Sequence, residues 1–419
     1  MRFLHISDLH LGKSVHGVSM LENGDQPYWV DKFLELSAEL RPDAVAIAGD
    51  VYDRGSPSGE AVELLSRLIV GLSELGICVL LTAGNHDSGK RLAFARDILA
   101  RQNVHIAGTV TREMVRVTLT DEYGPVTFWL MPYLFPASAV SVLGEDGIQN
   151  YDSAVRRMIG AQDMDLSARN VIIAHQNVTA FGAETPRGGS ESSVGGVGQV
   201  DFTAFDNFEY AALGHIHAAY RVGRDEVRYC GSPMCYHFSE TTQAAKGPIL
   251  VELGAKGESA KMTTLTIPPL HPMREIRGPF EQVRDAELAR SDRGEYLRLV
   301  ITDRPMSYEI SSFFEDLAAE RGSELMERVS TYSSFAAETP GAGAGAVREK
   351  STEELFADFY TARSGGTEPD AADLEILQMA GELLRGSPAP SGQRGFDDSE
   401  QARKLEKFLM ELMDREALK

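Results

Sequence analysis

The sequence has few cysteines and no long apolar run. Its 419 residues include three cysteines, which form neither a CxxC pair nor a disulfide framework, as is typical of proteins from reducing compartments. No apolar run approaches the roughly 18–20 residues that a membrane-spanning helix needs. The first residues also lack the pattern of a cleaved secretory signal. We therefore expect a cytoplasmic protein.

The sequence also lacks net positive charge. Its 62 acidic and 41 basic side chains give a formal net charge of -21 at pH 7. Nonspecific binding to nucleic acid draws mainly on cationic surface and released counterions, so tight unaided binding of this kind is not expected. A locally basic cleft, or a metal site that itself supplies positive charge, is compatible with the composition.

The order of predicted elements indicates an α/β (α+β) fold. In the first hundred residues strands alternate with amphipathic helices, as in a layered structure with right-handed crossovers. The strands are predicted at 2–6, 44–48 and 78–82, and the helices at 27–40, 57–75 and 92–100. Shorter β-type runs follow at 114–119, 126–131, 171–174, 209–213, 227–229 and 249–253. We predict a second sheet packed on the first, giving a two-sheet β-sandwich flanked by helices.

The later part of the chain predicts further domains. A first domain at 1–269 contains a glycine-rich loop at 181–199, and a strand-helix-strand-helix-strand pattern indicates a small α/β domain at 270–332. A Gly-Ala run marks 333–350 as a flexible linker. Helical patterns occupy 351–419, and such short helices are marginal alone, so we expect them to dock on a partner. Folding back on this chain is the alternative.

Polar side chains follow five of the predicted strands. Alone, Gly49-Asp50 is equally well explained by a turn and His175 by an ordinary loop residue. Together the five clusters hold five of the ten histidines, and their recurrence after successive strands argues against chance. The clusters are Asp8-Leu9-His10, Gly49-Asp50, Gly84-Asn85-His86-Asp87, His175 and Gly214-His215-Ile216-His217. The two-residue spacings within the first and last clusters place both side chains on one side of an extended chain.

These residue types suit a two-metal centre. Carboxylates with imidazoles favour Mn²⁺, Fe or Zn²⁺ over Ca²⁺ or Mg²⁺, and the lack of cysteine argues against a structural zinc site. Two cations about 3.5–4 Å apart need an anionic bridge, for which Asp50 is the candidate. Such a pair lowers the pKa of a bridging water and neutralises a phosphorane-like transition state, so phosphoester hydrolysis is the predicted reaction.

The pattern DxH, GDxxD, GNHD, H and GHxH is complete and in order, and it resembles that of the calcineurin-like metallophosphoesterases. Longer runs resemble the SbcD family of nuclease subunits, the bacterial counterparts of the eukaryotic and archaeal double-strand-break repair nuclease. These runs lie at 49–54, 84–88, 193–196, 212–217 and 229–233. This closer resemblance covers residues 1–270 well and the remainder only by layout.

The resemblance implies a metal-dependent double-strand exonuclease and single-strand or hairpin endonuclease that acts in DNA repair, recombination and replication. It implies one metal site formed by Asp8, His10, Asp50 and His217, and another formed by Asp50, Asn85, His175 and His215, with Mn²⁺ as the preferred ion. His86 would act on the leaving 3′ oxygen or the transition state, with Asp87 orienting its ring. Asp53 stands where archaeal members have histidine, and we expect a turn or supporting residue there.

The resemblance also implies partners. Residues 270–332 would cap a DNA cleft, and 351–419 would bind the coiled-coil base of an SbcC-type ATPase. The chain would dimerise within a heterotetramer, near helices 57–75 and 92–100, although the apolar stripe of the first also fits core packing. Phosphate contacts, or solvated charges, are expected at Lys13, Arg54, Lys90, Arg91 and Arg187. The alternatives are a dinuclear phosphoesterase for a small phosphoester or phosphoprotein, and an architectural DNA-bridging protein with a vestigial metal site.

Overall fold

The computed structural model describes residues 1–145, 147–180, 198–242 and 246–332. The strands are β1 Arg2–Ile6, β2 Ser14–Val15, β3 Val18–Ser19, β4 Ala44–Ala48, β5 Cys78–Thr82, β6 Val104–Ala107, β7 Val115–Asp121, β8 Gly124–Met131, β9 Arg169–His175, β10 Asn177–Thr179, β11 Gln199–Asp201, β12 Tyr210–Gly214, β13 Tyr220–Val222, β14 Arg224–Tyr229, β15 Ile249–Glu252, β16 Lys261–Thr264, β17 Met273–Gly278, β18 Tyr296–Ile301 and β19 Glu324–Ser330. The helices are α1 Asp25–Leu40, α2 Gly59–Glu74, α3 Gly89–Leu92, α4 Arg96–Leu99, α5 Pro136–Leu143, α6 Tyr151–Gly160, α7 Phe280–Leu288 and α8 Tyr308–Glu320. Short 3₁₀ turns lie at Ala100–Gln102, Phe202–Phe205 and Phe238–Thr242.

Two six-stranded sheets contain the strands that lead to the predicted site. The first has the order β16-β15-β1-β4-β5-β6, in which β1, β4, β5 and β6 run parallel. The second has the order β13-β14-β12-β9-β8-β7, in which β14, β12, β9 and β8 run parallel. Because both sheets have parallel centres, several strand carboxyl ends of each sheet lie along one edge.

The two sheets pack face to face between outer layers of helices. Alternate residues of β4 divide between the faces: Val45 contributes to the cluster shared with α1 and α2, whereas Ala46 contributes to the cluster between the sheets. That inner cluster includes Phe3 of the first sheet and Phe128 of the second, whose rings meet edge to face with centroids 5.3 Å apart. Helices α5 and α6 cover the outer face of the second sheet. The predicted sandwich flanked by helices is confirmed.

Most of the predicted strands and helices are confirmed, with ends shifted by a few residues. The helix predicted at 92–100 is wrong as a single element, because Ala95 has φ 57 and divides the segment into α3 and α4. Helices α5 and α6 lie in a stretch for which the sequence analysis predicted no element. In the described ranges, no helix is long and apolar enough to cross a membrane.

A third sheet follows the two large ones. Its strands β17, β18 and β19 are parallel, and the connecting helices α7 and α8 cover it through a separate apolar cluster that includes Leu299 and Phe314. Residues 1–332 form one compact unit. The predicted domain boundary at 270 stays a prediction. The linker predicted at 333–350, the helices in 351–419, Arg187 and most of the glycine-rich loop at 181–199 lie outside the described residues.

Candidate metal centre

The carboxyl ends of β1, β4, β5, β9 and β12 converge on one site. Backbone hydrogen bonds join the segments that follow β1 and β4: Asp8 N–H donates to the Gly49 carbonyl at 3.1 Å, and His10 N–H donates to the Asp50 carbonyl at 2.9 Å. In the second sheet, His175 of β9 is in register with Gly214 of β12. Each predicted ligand therefore follows from the direction of its strand.

Asp8, His10 and His217 form the first ligand group, and all three are buried, with candidate ligand atoms within 4.8 Å of one another. The Nε2 atoms of the two histidines face each other at 3.1 Å. The Nδ1 atom of His217 faces Glu240 at 3.4 Å, and that of His10 lies 3.5 Å from the Asp53 carboxylate. A carboxylate behind Nδ1 keeps the proton there and directs the Nε2 lone pair toward a metal.

Asp50, Asn85, His175 and His215 form the second group. The side-chain oxygen of Asn85 lies 3.1 Å from His175 Nε2 and 3.0 Å from His215 Nδ1. His175 donates from Nδ1 to the Ala48 carbonyl at 2.8 Å, so Nε2 points into the site. The structure thus brings all seven predicted metal-binding residues together, although their role as ligands stays a prediction.

Asp50 lies between the two groups. Its Oδ2 atom is 3.7 Å from His10 Nε2 and 3.3 Å from His175 Nε2, and Oδ1 accepts a hydrogen bond from His86 N–H at 2.9 Å. Burial opposes ionisation of Asp50, but the His175 ring outweighs it and holds the pKa of this carboxyl below its usual range. The position suits the predicted bridge, and the carboxylate attracts positive charge from both sides.

The histidine environments differ in a way that suits metal binding. Burial lowers the pKa of His10, and burial together with the nearby His175 ring lowers the pKa of His215 to about 4. Burial also opposes charge on His175, but the Asp50 carboxylate outweighs it and raises the pKa of His175 to about 9. Neutral imidazoles offer lone pairs, and a cation beside Asp50 would supply the charge that the His175 proton now supplies. The donor set therefore fits a pair of divalent ions.

Unusual backbone conformations coincide with the ligand positions. Among the described residues, Asp8, His10, Asp50 and His215 are four of the eight non-glycine residues with positive φ, at 53, 44, 46 and 107°. Such conformations are costly for residues with a Cβ and tend to occur where function requires a particular side-chain direction. Gly84 is required nearby, because a Cβ there would lie 2.0 Å from the Asp50 Oδ1 atom.

His86 lies at the open side of the site. Its side chain is 42% exposed, and Nε2 lies 3.9 Å from Asp50 Oδ2. The predicted orientation of its ring by Asp87 is wrong, because Nδ1 faces the Asp53 carbonyl oxygen at 3.0 Å. Asp87 instead accepts hydrogen bonds from the backbone N–H groups of Val51, Tyr52 and Gly84. It joins the loops after β4 and β5, and thereby holds the backbone that carries His86 and Asp50.

The sequence analysis missed several supporting residues. Glu240 hydrogen bonds to the His217 ring and pairs with Lys246 at 2.9 Å. Burial opposes its charge, but these two partners outweigh it and lower the pKa of Glu240 to about 2. Gln26, at the start of α1, donates to the His10 carbonyl at 2.8 Å. Neither residue follows a strand that ends at the site, so no motif spacing marked them.

The expected phosphate contacts have different environments. Lys13 pairs with Asp53 at 2.8 Å, so Asp53 supports the His10 ring and a cation at once, as expected of a residue behind the ligands. Arg91 donates to the Gly55 carbonyl at 2.8 Å and to the Ser56 hydroxyl. Arg54 is 84% exposed beside Asp53, and Lys90 is exposed in a groove next to Asn85.

Comparisons with known proteins agree with this geometry. A family profile described as "Calcineurin-like phosphoesterase" matches residues 1–219. A second, SbcD_C, described as "Type 5 capsule protein repressor C-terminal domain", matches residues 269–364. The chain is 28% identical over 309 residues to the SbcD subunit of the nuclease SbcCD from Staphylococcus epidermidis, and the match covers 72% of this chain and 79% of that protein.

Among solved structures, the crystal structure of TT1561 of Thermus thermophilus is 12% identical, with a TM-score of 0.34; the match covers 63% of this chain and 98% of that one. The calcineurin-like profile spans residues 1–219, which is more than half of the 419 residues and contains all seven predicted metal-binding residues. The chain therefore belongs to the calcineurin-like phosphoesterase family.

Proposed function

We propose that this chain is the metal-dependent DNA nuclease subunit of an ATP-dependent, SbcCD-type complex. The observation that carries the proposal is the convergence of two ligand groups on Asp50, one with Asp8, His10 and His217 and the other centred on His175. The DNA substrate and the ATPase partner are carried over from the relative named as part of the nuclease SbcCD, and from the SbcD_C match.

The chain's own groups divide the work of phosphodiester hydrolysis. Asp8, His10, Asp50 and His217 would hold one ion, and Asp50, Asn85, His175 and His215 the other, with Mn²⁺ proposed for both. Bound together, such ions lower the pKa of a nearby water and neutralise charge on the transition state. His86 is exposed beside Asp50, where its imidazole can donate a proton to the departing 3′ oxygen.

The remaining parts of the chain receive roles in the complex. We assign 270–332 to a cap beside the DNA, the exposed apolar side chains of α2 and α4 to a homodimer contact, and 351–419 to binding of the coiled-coil ATPase. This division suits an acidic protein, because a chain with net charge -21 gains from a partner that supplies cationic surface.

The proposal is tested with the purified full chain, Mn²⁺, and labelled blunt, hairpin and single-stranded DNA, each with and without the ATPase partner and ATP. We expect Mn²⁺-dependent cleavage in all three, increased by the partner. A panel of small phosphomonoesters, cyclic nucleotides and phosphopeptides runs in parallel. Preferential hydrolysis of that panel, or no DNA cleavage by a chain shown to hold its metals, would overturn the proposal. Loss of metal binding by the wild-type chain would instead support the architectural alternative.

A further inference from the structure

An open groove begins at the metal centre and follows the carboxyl ends of β5, β6 and β8. Its volume is about 550 Å³, within the range of about 300–1,000 Å³ that is usual for ligand sites. Asn85, residues 87–90 and residues 108–110 line one wall, and residues 132–135 with the start of α5 line the other. Because Asn85 belongs to both the groove and the metal centre, a ligand in the groove adjoins the reacting phosphate.

Aromatic rings form the second wall. The ring centroid of Tyr133 lies 6.1 Å from that of His175 and 6.0 Å from that of His215. Phe135 follows, with its centroid 4.8 Å from Tyr133 and the ring planes at 72°. Tyr151 supports both rings from 6.2 and 6.3 Å. The imidazoles of the metal centre therefore continue into a row of aromatic rings.

Phe135 is not needed for the core of this region. Helix α5 packs through Ala139 and Leu143, both of which belong to the apolar cluster under the second sheet. Phe135 precedes that helix and is 49% exposed. A large aromatic side chain that stays in solvent beside a reactive centre is more typical of a binding surface than of packing.

We propose that Tyr133 and Phe135 form a stacking platform for an unpaired nucleobase of the strand being cut, an inference that rests on the proposed nuclease function. Aromatic side chains stack on any base, because every base has a π-face, so such a platform is tolerant of sequence. Lys90 stands on the facing wall as a phosphate contact. The platform also gives this acidic chain a source of affinity that does not depend on cationic surface.

The platform predicts a preference among DNA structures. In a paired duplex both faces of an internal base are covered, and exposing one costs unstacking and unpairing energy. Frayed ends, hairpin loops and single strands offer the face without that cost. Tyr133 and Phe135 would therefore select substrates in which the nucleotide beside the scissile bond is already unpaired.

The test combines a protein variant with a base deletion. The substrate is a single-stranded oligonucleotide with one cleavable phosphodiester, the other linkages being phosphorothioates, and with either a normal or an abasic nucleotide beside that bond. With the full chain and Mn²⁺, Phe135→Ala should lower kcat/KM on the normal substrate roughly 5- to 100-fold, mainly through a higher KM. The abasic substrate should show the same loss with the wild type and no further loss with the variant. Phe135→Trp should restore cleavage, whereas Phe135→Leu should not.

The matched control is Tyr123→Ala, which removes another exposed aromatic ring, at the opposite end of β8. It should leave both substrates unaffected, and all variants should keep their metal content. Equal losses for Phe135→Ala on normal and abasic DNA, or no loss on either, would overturn the platform while wild-type cleavage leaves the nuclease function standing. A metal-loaded wild type that cuts no DNA would overturn both.

Discussion

At the scale of single residues, the two histidines near Asp50 have different predicted tasks. His175 is buried and its Nε2 points into the site, whereas His86 is exposed and projects over the open side. We therefore expect His86→Ala to lower kcat for DNA cleavage by about 10²- to 10⁴-fold, the usual contribution of a general acid. Its metal content, measured by elemental analysis, should stay near that of the wild type.

The matched control for His86 is His105→Ala, since His105 is a half-buried histidine on β6 that belongs to none of the ligand groups. It should change neither cleavage nor metal content. Near-normal cleavage by His86→Ala would remove its catalytic assignment. Loss of metal from that variant would instead make His86 a ligand, a role that its place in a group with His10 and Asp50 makes worth measuring.

A second prediction at this scale concerns the bridge. Asp50 contacts His10 on one side and His175 on the other, whereas Asn85 contacts only the side of His175 and His215. Asp50→Ala should therefore reduce metal content at both positions, to well below one ion per chain. Asn85→Ala should keep roughly one ion. Elemental analysis after gel filtration distinguishes them, and a full equivalent bound to Asp50→Ala would show that Asp50 is not shared.

The residue types of the site could be predicted from sequence, but their support could not. Asp8, His10, Asp50 and His215 lie in short motifs at strand ends, so they were found, although their positive φ values were not foreseeable from spacing. Glu240 acts on a histidine 23 residues away along the chain. Tyr133 follows β8 just as the ligands follow their strands, so the same rule applied to all strands would have indicated it.

At the scale of elements, prediction succeeded where one pattern determined the outcome. β4 and β5 are buried on both sides, so their continuous apolar runs marked them as central parallel strands. The helix at 92–100 failed because the left-handed Ala95 interrupts it and no glycine or proline marks the break. The pairing of β1 with β15 joins residues about 250 positions apart, a partnership that local patterns do not encode.

The interrupted helix leaves apolar side chains in solvent, which leads to a prediction about assembly. Phe94 and Ile98 are 82% and 68% exposed, while the adjacent Leu92 packs on the same cluster as α2. If these side chains form the proposed dimer contact, each contributes about 1.5–3 kcal/mol on burial. Ile98→Asp should then weaken dimerisation at least roughly tenfold, measured by light scattering across a dilution series. Leu166→Asp, at another exposed site, should leave the mass unchanged, and a dimer unaffected by Ile98→Asp would exclude this surface.

At the scale of the whole molecule, the described unit contains its own structural and chemical parts. The two large sheets, the third sheet and all the predicted ligands lie within residues 1–332, which form one compact unit. Nothing in the chemistry of phosphoester cleavage requires the segment beyond it. The apolar pattern of 351–419 is therefore best assigned to an interaction, and the two interpretations of that segment predict different results on its removal.

A chain ending at residue 332 separates these interpretations. If the segment docks on the ATPase, the truncated chain should keep its metal content, its melting temperature and its basal cleavage, but lose co-purification with the partner and stimulation by ATP. If the segment folds back on this chain, the melting temperature should fall instead. Leu377→Asp in the full chain is the milder companion, because a carboxylate on the apolar face of the helix predicted at 371–384 removes favourable burial without removing the segment. Undiminished ATPase binding by the truncated chain would transfer the partner contact to residues 1–332.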